Sequence, residues 1–112
     1  MAPTTLLGQK TATSQSGRDL ARDGYPMKIS EMLAVLDGTK YIERTSVISP
    51  KDTIISKRAI KKAFKNQIDG IGFSMVEVLA MCPTYTGRSI EASIKWIKER
   101  ASIYYPQGVI KG

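Results

Sequence analysis

The sequence predicts an α/β fold: a partial open parallel sheet with flanking helices. Three observations carry this. Residues 41–48 (YIERTSVI) are rich in β-branched and aromatic side chains and read as a strand. Residues 71–80 (IGFSMVEVLA) are almost continuously apolar, the pattern of a strand buried on both faces of a parallel sheet. Between them lies an amphipathic stretch with a clear helix start. Strand, helix and strand in that order make one parallel crossover, which is right-handed by rule.

The elements follow in order. Residues 1–27 are rich in Thr, Ser, Gly, Gln and Pro, and residues 8–17 show neither the helical nor the strand period. This irregular segment reads as a mobile tail or as a loop whose supporting structure lies elsewhere. A helix is predicted over 28–36, where Ile29, Met32, Leu33 and Leu36 fall at i, i+3, i+4 and i+7. Pro26 precedes it, and Asp37-Gly38 supplies the stop. After the first strand, Ser49 fits a cap, Pro50 the first helical position and Asp52 the positive end of the dipole. That helix runs to about Gln67. Ile55, Ala59, Ile60, Ala63 and Phe64 form its expected inner face, and Lys57, Lys61 and Lys65 recur on another. A last helix is expected over 89–103, with Ile90, Ile94, Ile97 and Ala101 inward and Glu91 placed to pair with Lys95. Residues 28–112 are thus one helix, the crossover and a C-terminal helix, all part of one α/β domain. Two strands are fewer than an open sheet normally needs. The pattern is that of the final third of a larger domain, or of one subunit in an obligate assembly.

Composition narrows the functions. The chain has 112 residues, 17 Lys+Arg against 10 Asp+Glu, no histidine and one cysteine. Without histidine there is no His-based acid–base chemistry, no Ser–His triad and no His-ligated zinc within these residues. One cysteine makes no internal disulfide framework. No apolar run has the ~18–20 residues of a membrane span, and no signal peptide is evident. The sequence pI is near 9.7, a footprint shared by nucleic-acid binders and by proteins that dock on acidic partners. Six of the basic residues fall within 51–65. A lysine row on an amphipathic helix is ordinarily solvated surface. The aromatics Trp96, Tyr104 and Tyr105 fall on or after a helix rather than on a strand, which argues against a base-stacking module. Trp96 reads as packing, and Glu77, inside the apolar strand, receives no role. No phosphate-binding glycine motif is present.

Ligands of open α/β sheets gather at the carboxyl ends of the strands. The second strand delivers Met81-Cys82-Pro83-Thr84-Tyr85-Thr86-Gly87 there. Cys82 has two readings: a buried small hydrophobe, or a metal or cluster thiolate whose other ligands come from elsewhere.

Residues 2–13 (APTTLLGQKTAT), 72–79 (GFSMVEVL), 82–84 (CPT) and 104–109 (YYPQGV) together make a specific pattern. In that order and spacing, the chain resembles the C-terminal part of the thiamine-diphosphate-binding β subunit of 2-oxoacid:ferredoxin oxidoreductases. The 2-oxoglutarate and branched-chain types are the nearest in pattern. The resemblance implies a thiamine-diphosphate-binding fold, with residues 1–27 bordering the cofactor site. It implies oxidative decarboxylation of a 2-oxoacid to an acyl-CoA with reduction of ferredoxin, in the cytoplasm. Cofactors of the complete enzyme would be thiamine diphosphate with Mg and a [4Fe–4S] cluster. Partners would be the α subunit, the upstream part of β, ferredoxin and coenzyme A. Cys82, in the Cys-Pro-Thr motif, would be the fourth thiolate of the cluster, its only metal contact here.

The Gly-Asp-Gly-Asp, Thr-Gly-Gly-Gln and Cys-x-x-Cys motifs of the family are not found in these residues. The chain is therefore expected to be a fragment or a split subunit, inactive alone and without bound cofactor. A basic surface over 51–65 would suit acidic ferredoxin. The alternative is a small stand-alone basic module that binds nucleic acid or an acidic protein.

Overall fold

The computed structural model describes all 112 residues. A three-stranded mixed sheet lies at its centre, in the order β2-β1-β3. Strand β1 is Thr39–Ser46, β2 is Phe73–Leu79 and β3 is Gly108–Lys111. Strands β1 and β2 run parallel, in register from Tyr41–Ser74 to Ser46–Leu79. Strand β3 pairs antiparallel to the other edge of β1, around Glu43 and Arg44. The expected parallel pair is therefore present, but the sheet is mixed and has a third strand. The antiparallel strand comes from a tail with too few residues to show alternation.

The central helix α3, Pro50–Ile68, follows β1 as the sequence predicts. The Ser49 hydroxyl accepts from the Asp52 amide at 3.1 Å and donates to the Asp52 carboxylate at 2.6 Å. Such a cap stabilises a helix by about 1 kcal/mol. The inner face of α3 is built from Ser56 and Ala59, with Ile55 and Ala63 half-buried. The Ser56 hydroxyl lies within hydrogen-bond distance of both the Ser46 carbonyl and the Thr45 hydroxyl. Ile60 and Phe64, expected inside, are exposed at 42% and 68%. With Ala63, Ser74 and Val76 they border an open groove of about 310 Å³ beside β2.

Strand β2 is likewise half-buried to exposed rather than sealed on both faces. It stands at a sheet edge, and the position the apolar run would suit, the sheet interior, belongs to β1. There every residue but Lys40 is buried, although five of those seven, all but Tyr41 and Ile42, are polar or charged. Buried polarity is tolerable because the side chains of Thr39, Glu43, Arg44 and Thr45 are paired, the Ser46 hydroxyl alone being without a partner. The Arg44 side chain, 1% exposed, forks onto Glu31 at 2.7 and 2.8 Å and reaches Glu77 at 2.8 Å. The guanidinium also lies 5.1 Å from the centre of the Tyr105 ring.

Helix α1, Leu20–Asp23, is a single turn, and α2 is Ile29–Ala34, shorter than the predicted 28–36. In α2 the fully buried side chain is Ser30, while Met32 and Leu36 of the expected stripe are exposed. Residues 1–28 otherwise follow an irregular path around Arg18. Its guanidinium donates to the carbonyls of Thr5, Ala2, Pro3, Asp23 and Gly24 at 2.6–3.3 Å. Beside it Gly17 has φ +80°, and a Cβ there would sit 2.9 Å from the Gly8 carbonyl oxygen. Only glycine fits that crossing.

The predicted last helix is broken into pieces. A turn, α4 (Pro83–Thr86), comes first, then α5 (Ile90–Trp96). A π-helical turn at Ile97–Ala101 and the short α6 (Ser102–Tyr104) follow without a break. Ile97 and Ala101 face inward as expected, but Ile90 is 60% exposed. Glu91 makes no ion pair with Lys95. The four ion pairs are Arg22–Asp23, Arg44–Glu31, Arg44–Glu77 and Lys65–Asp69.

Only 20 of 112 residues are buried, and the accessible surface is 7038 Å². A compact monomer of 12.3 kDa exposes roughly 6,100 Å². Large apolar side chains are left outside, among them Phe64, Ile68 and Ile103.

Candidate functional site

Past Leu79, the chain leaves the carboxyl end of β2 and passes through Met81 and Cys82 into α4. Pro83 occupies the first turn of α4, and Gly87 ends it in the left-handed conformation at φ 68°. The Cys82 carbonyl accepts from the Thr86 amide at 3.0 Å and from its hydroxyl at 3.1 Å. This turn is fastened to the N-terminal segment. The Ala12 amide donates to the Tyr85 carbonyl at 2.8 Å, and the Thr13 and Tyr85 hydroxyls are 2.6 Å apart.

Two clefts meet here. The larger, about 360 Å³, is enclosed by Thr4, Thr5, Val78, Tyr85, Trp96 and Tyr105 among others. It lies between the N-terminal segment, the end of β2 and α5 with its π-helical extension, which is where an open α/β sheet presents ligands. Burial, with Tyr104 and Glu77 nearby, pushes the Tyr105 phenol up to about 12. At neutral pH it is therefore a proton donor, and its hydroxyl bonds the Met27 carbonyl at 2.9 Å. The Thr11 and Thr13 hydroxyls beside Tyr85 hold that phenol below its usual value. Glu77 reaches the same cleft, but its carboxylate is taken up by Arg44 and the Ser30 hydroxyl.

The smaller cleft, about 130 Å³, holds Cys82. The thiol is exposed, not the sealed hydrophobe that a lone cysteine ordinarily is. Arg88, Ser93 and Trp96 line the same cleft. The Arg88 guanidinium lies 5.0 Å from the Trp96 ring centre. Its Nη1 and the Ser93 hydroxyl are buried without a hydrogen-bond partner. Trp96, expected to be packing alone, thus also carries a cation on its face. No group of three or more His, Cys, Asp or Glu side chains lies close enough together to hold a metal ion. Cys82 is the single thiol of this cleft.

Sequence reasoning located Cys82 past the strand end but missed Arg88 and Ser93. A signal for Ser93 existed: it lies three residues after Ile90 and four before Ile97, on the inner stripe, where a hydroxyl needs an explanation. Arg88, just before a helix cap, carries no such mark.

The basic face is real as geometry. Lys57, Lys61 and Lys65 are exposed along α3. Lys65 is tied to Asp69 at 2.8 Å, and Lys62 lies 4.3 Å from the Tyr41 ring centre. No helix is long and apolar enough to cross a membrane.

The chain is 42% identical over 106 residues to ketoisovalerate oxidoreductase subunit VorA of Methanothermobacter marburgensis, covering 95% of this chain and 22% of that subunit. VorA of Methanothermobacter thermautotrophicus gives the same identity and coverage. The 2-oxoglutarate synthase subunit KorB of Archaeoglobus fulgidus is 35% identical over 99 residues, which are 88% of this chain and 33% of that subunit. The chain is homologous to a stretch of 2-oxoacid oxidoreductase subunits. It spans about a fifth to a third of the length of these relatives. No family model and no solved structure matches it.

Proposed function

We propose that the chain is the C-terminal part of the thiamine-diphosphate-binding β subunit of a 2-oxoacid:ferredoxin oxidoreductase, acting on 2-oxoglutarate or a branched-chain 2-oxoacid. The observation that carries this is the 42% identity to VorA across 95% of the chain. The exposed thiol at a strand end supports it.

In the complete enzyme the thiamine cofactor supplies the carbanion chemistry of decarboxylation, and a [4Fe–4S] cluster supplies one-electron transfer. By the resemblance, the magnesium and diphosphate would be held by other segments of the subunit. Residues 1–27, fixed by Arg18, form one wall of the large cleft and would border that cofactor. Cys82 would give the cluster its fourth thiolate, the other three coming from outside these 112 residues. The chain alone is then inactive, and its working partners are the α subunit, the rest of β and coenzyme A, in the cytoplasm. The open edge of β2 and the groove beside Phe64 suit a sheet that continues into further structure.

The test is coexpression with an upstream β segment and the α subunit of a homologous enzyme. A brown complex is expected, losing most of its iron on Cys82→Ala. A colourless chain with no affinity for those partners would end the proposal. Ferredoxin, being acidic, would dock on the α3 lysines. Reversing Lys57, Lys61 and Lys65 to Glu is expected to slow ferredoxin reduction about tenfold at low salt and to flatten its ionic-strength dependence. Unchanged turnover and salt dependence would remove α3 from the docking site.

A further inference from the structure

Beside the exposed thiol stand two buried polar atoms without partners. Burying a donor without an acceptor costs about 1–3 kcal/mol, so each such group calls for a reason. Ser93 is 5% exposed, and its hydroxyl finds no acceptor in the protein. Arg88 Nη1 is in the same condition. Both line the small cleft with Cys82. Trp96, 5.0 Å from the guanidinium, holds the cation over its face on the wall of that cleft. A guanidinium and a hydroxyl with spare donors, lining the same cleft as a thiol, make a receptor for sulfur carrying negative charge.

We propose that Arg88 and Ser93 are positioning residues for the sulfur atoms of the metal group that Cys82 ligates, donating hydrogen bonds to them and raising its reduction potential. The inference rests on the reading of Cys82 as a cluster ligand. Its physical basis is direct. Each electron added to an iron–sulfur cluster increases its negative charge, and donors and cations at its sulfur atoms favour the reduced form. Arg88 supplies charge and hydrogen bonds together, whereas Ser93 supplies a hydrogen bond alone. Arg88 is therefore the stronger of the two.

The test uses the coexpressed complex, with iron content and an EPR-monitored redox titration as readouts. Arg88→Ala and Ser93→Ala are expected to keep their iron. Arg88→Ala should shift the reduction equilibrium about tenfold toward the oxidised form, equivalent to about 59 mV for a one-electron couple. Ser93→Ala should shift it in the same direction by less, and Arg88→Lys should restore part of the loss. If Arg88→Ala fails to assemble, Arg88→Lys and Ser93→Ala carry the same test. Loss of iron in Cys82→Ser, with the wild-type potential and EPR signal unchanged in the Arg88 and Ser93 variants, would overturn the inference while sparing the ligand reading. Full iron and a wild-type signal in Cys82→Ser would overturn the ligand reading itself.

Discussion

Replacing Arg44 with alanine is expected to cost about 3 kcal/mol of stability, measured by urea denaturation at neutral pH. The side chain is 1% exposed and is the only cation in ion-pair contact with two carboxylates, Glu31 and Glu77. Removing one partner of a buried pair typically costs about 3–5 kcal/mol, because the other charge is left without compensation. The lower end applies, since Glu31 and Glu77 are 37% and 22% exposed and can recover some hydration. The effect depends on pH. Hydrogen bonding to Arg44 holds the Glu31 carboxyl below its ordinary 4.5 against the opposing effect of burial. A depressed carboxyl stabilises the fold above its unfolded value, and that contribution is lost as pH falls through the folded value. The gap between wild type and Arg44→Ala should therefore narrow below about pH 4. An equal gap at pH 7 and pH 3 would show that Arg44 acts by packing rather than charge.

Arg18→Ala is expected to release the N-terminal segment. The guanidinium serves five carbonyls drawn from residues 2–5 and 23–24, and it has no carboxylate partner holding it elsewhere. Hydrogen bonds to a charged donor contribute about 1.5–3 kcal/mol each, but opening the segment lets water replace them, so a total loss of about 2–4 kcal/mol is expected. Hydrogen exchange should show protection lost over residues 2–24 and retained in β1. Arg18→Lys should fail to restore it, because an ammonium lacks the flat fork that spans both ends of the segment. Protection unchanged in Arg18→Ala would mean that backbone pairing such as Gly8 to Arg18 holds the segment by itself.

Both arginines show where sequence reading stops. The helix at 50–68 was legible because its signals are local: Ser49 caps it, Pro50 starts it, and Asp69-Gly70 follows its end. The two parallel strands were legible from composition. Arg44 was not, because its partners lie 13 residues before it and 33 after it, and nothing nearby distinguishes it from a solvated arginine. The short strand at Gly108–Lys111 escaped for the same reason, since it exists only through its pairing with β1. Strand β2 misled in the opposite sense. Its apolar run describes a strand covered on both sides, and within these residues that cover is absent. For the candidate site, Cys82 was legible from its place after a strand and before a proline. The clefts around it were not, because they join side chains from the first ten residues to others beyond Tyr85.

The π-helical turn at Ile97–Ala101 has one more effect. A helix rotates by about 100° for each residue added, and a π turn takes up an additional residue without lengthening the path much. The direction of everything beyond Ala101 is thus set by winding number. Tyr104 and Tyr105 swing toward the carbonyls of Pro26 and Met27, and the chain after Pro106 arrives alongside Glu43 and Arg44. Regularising that turn would misdirect both tyrosines at once, so the closing strand and the N-terminal segment share a single mechanical adjustment in the backbone between them.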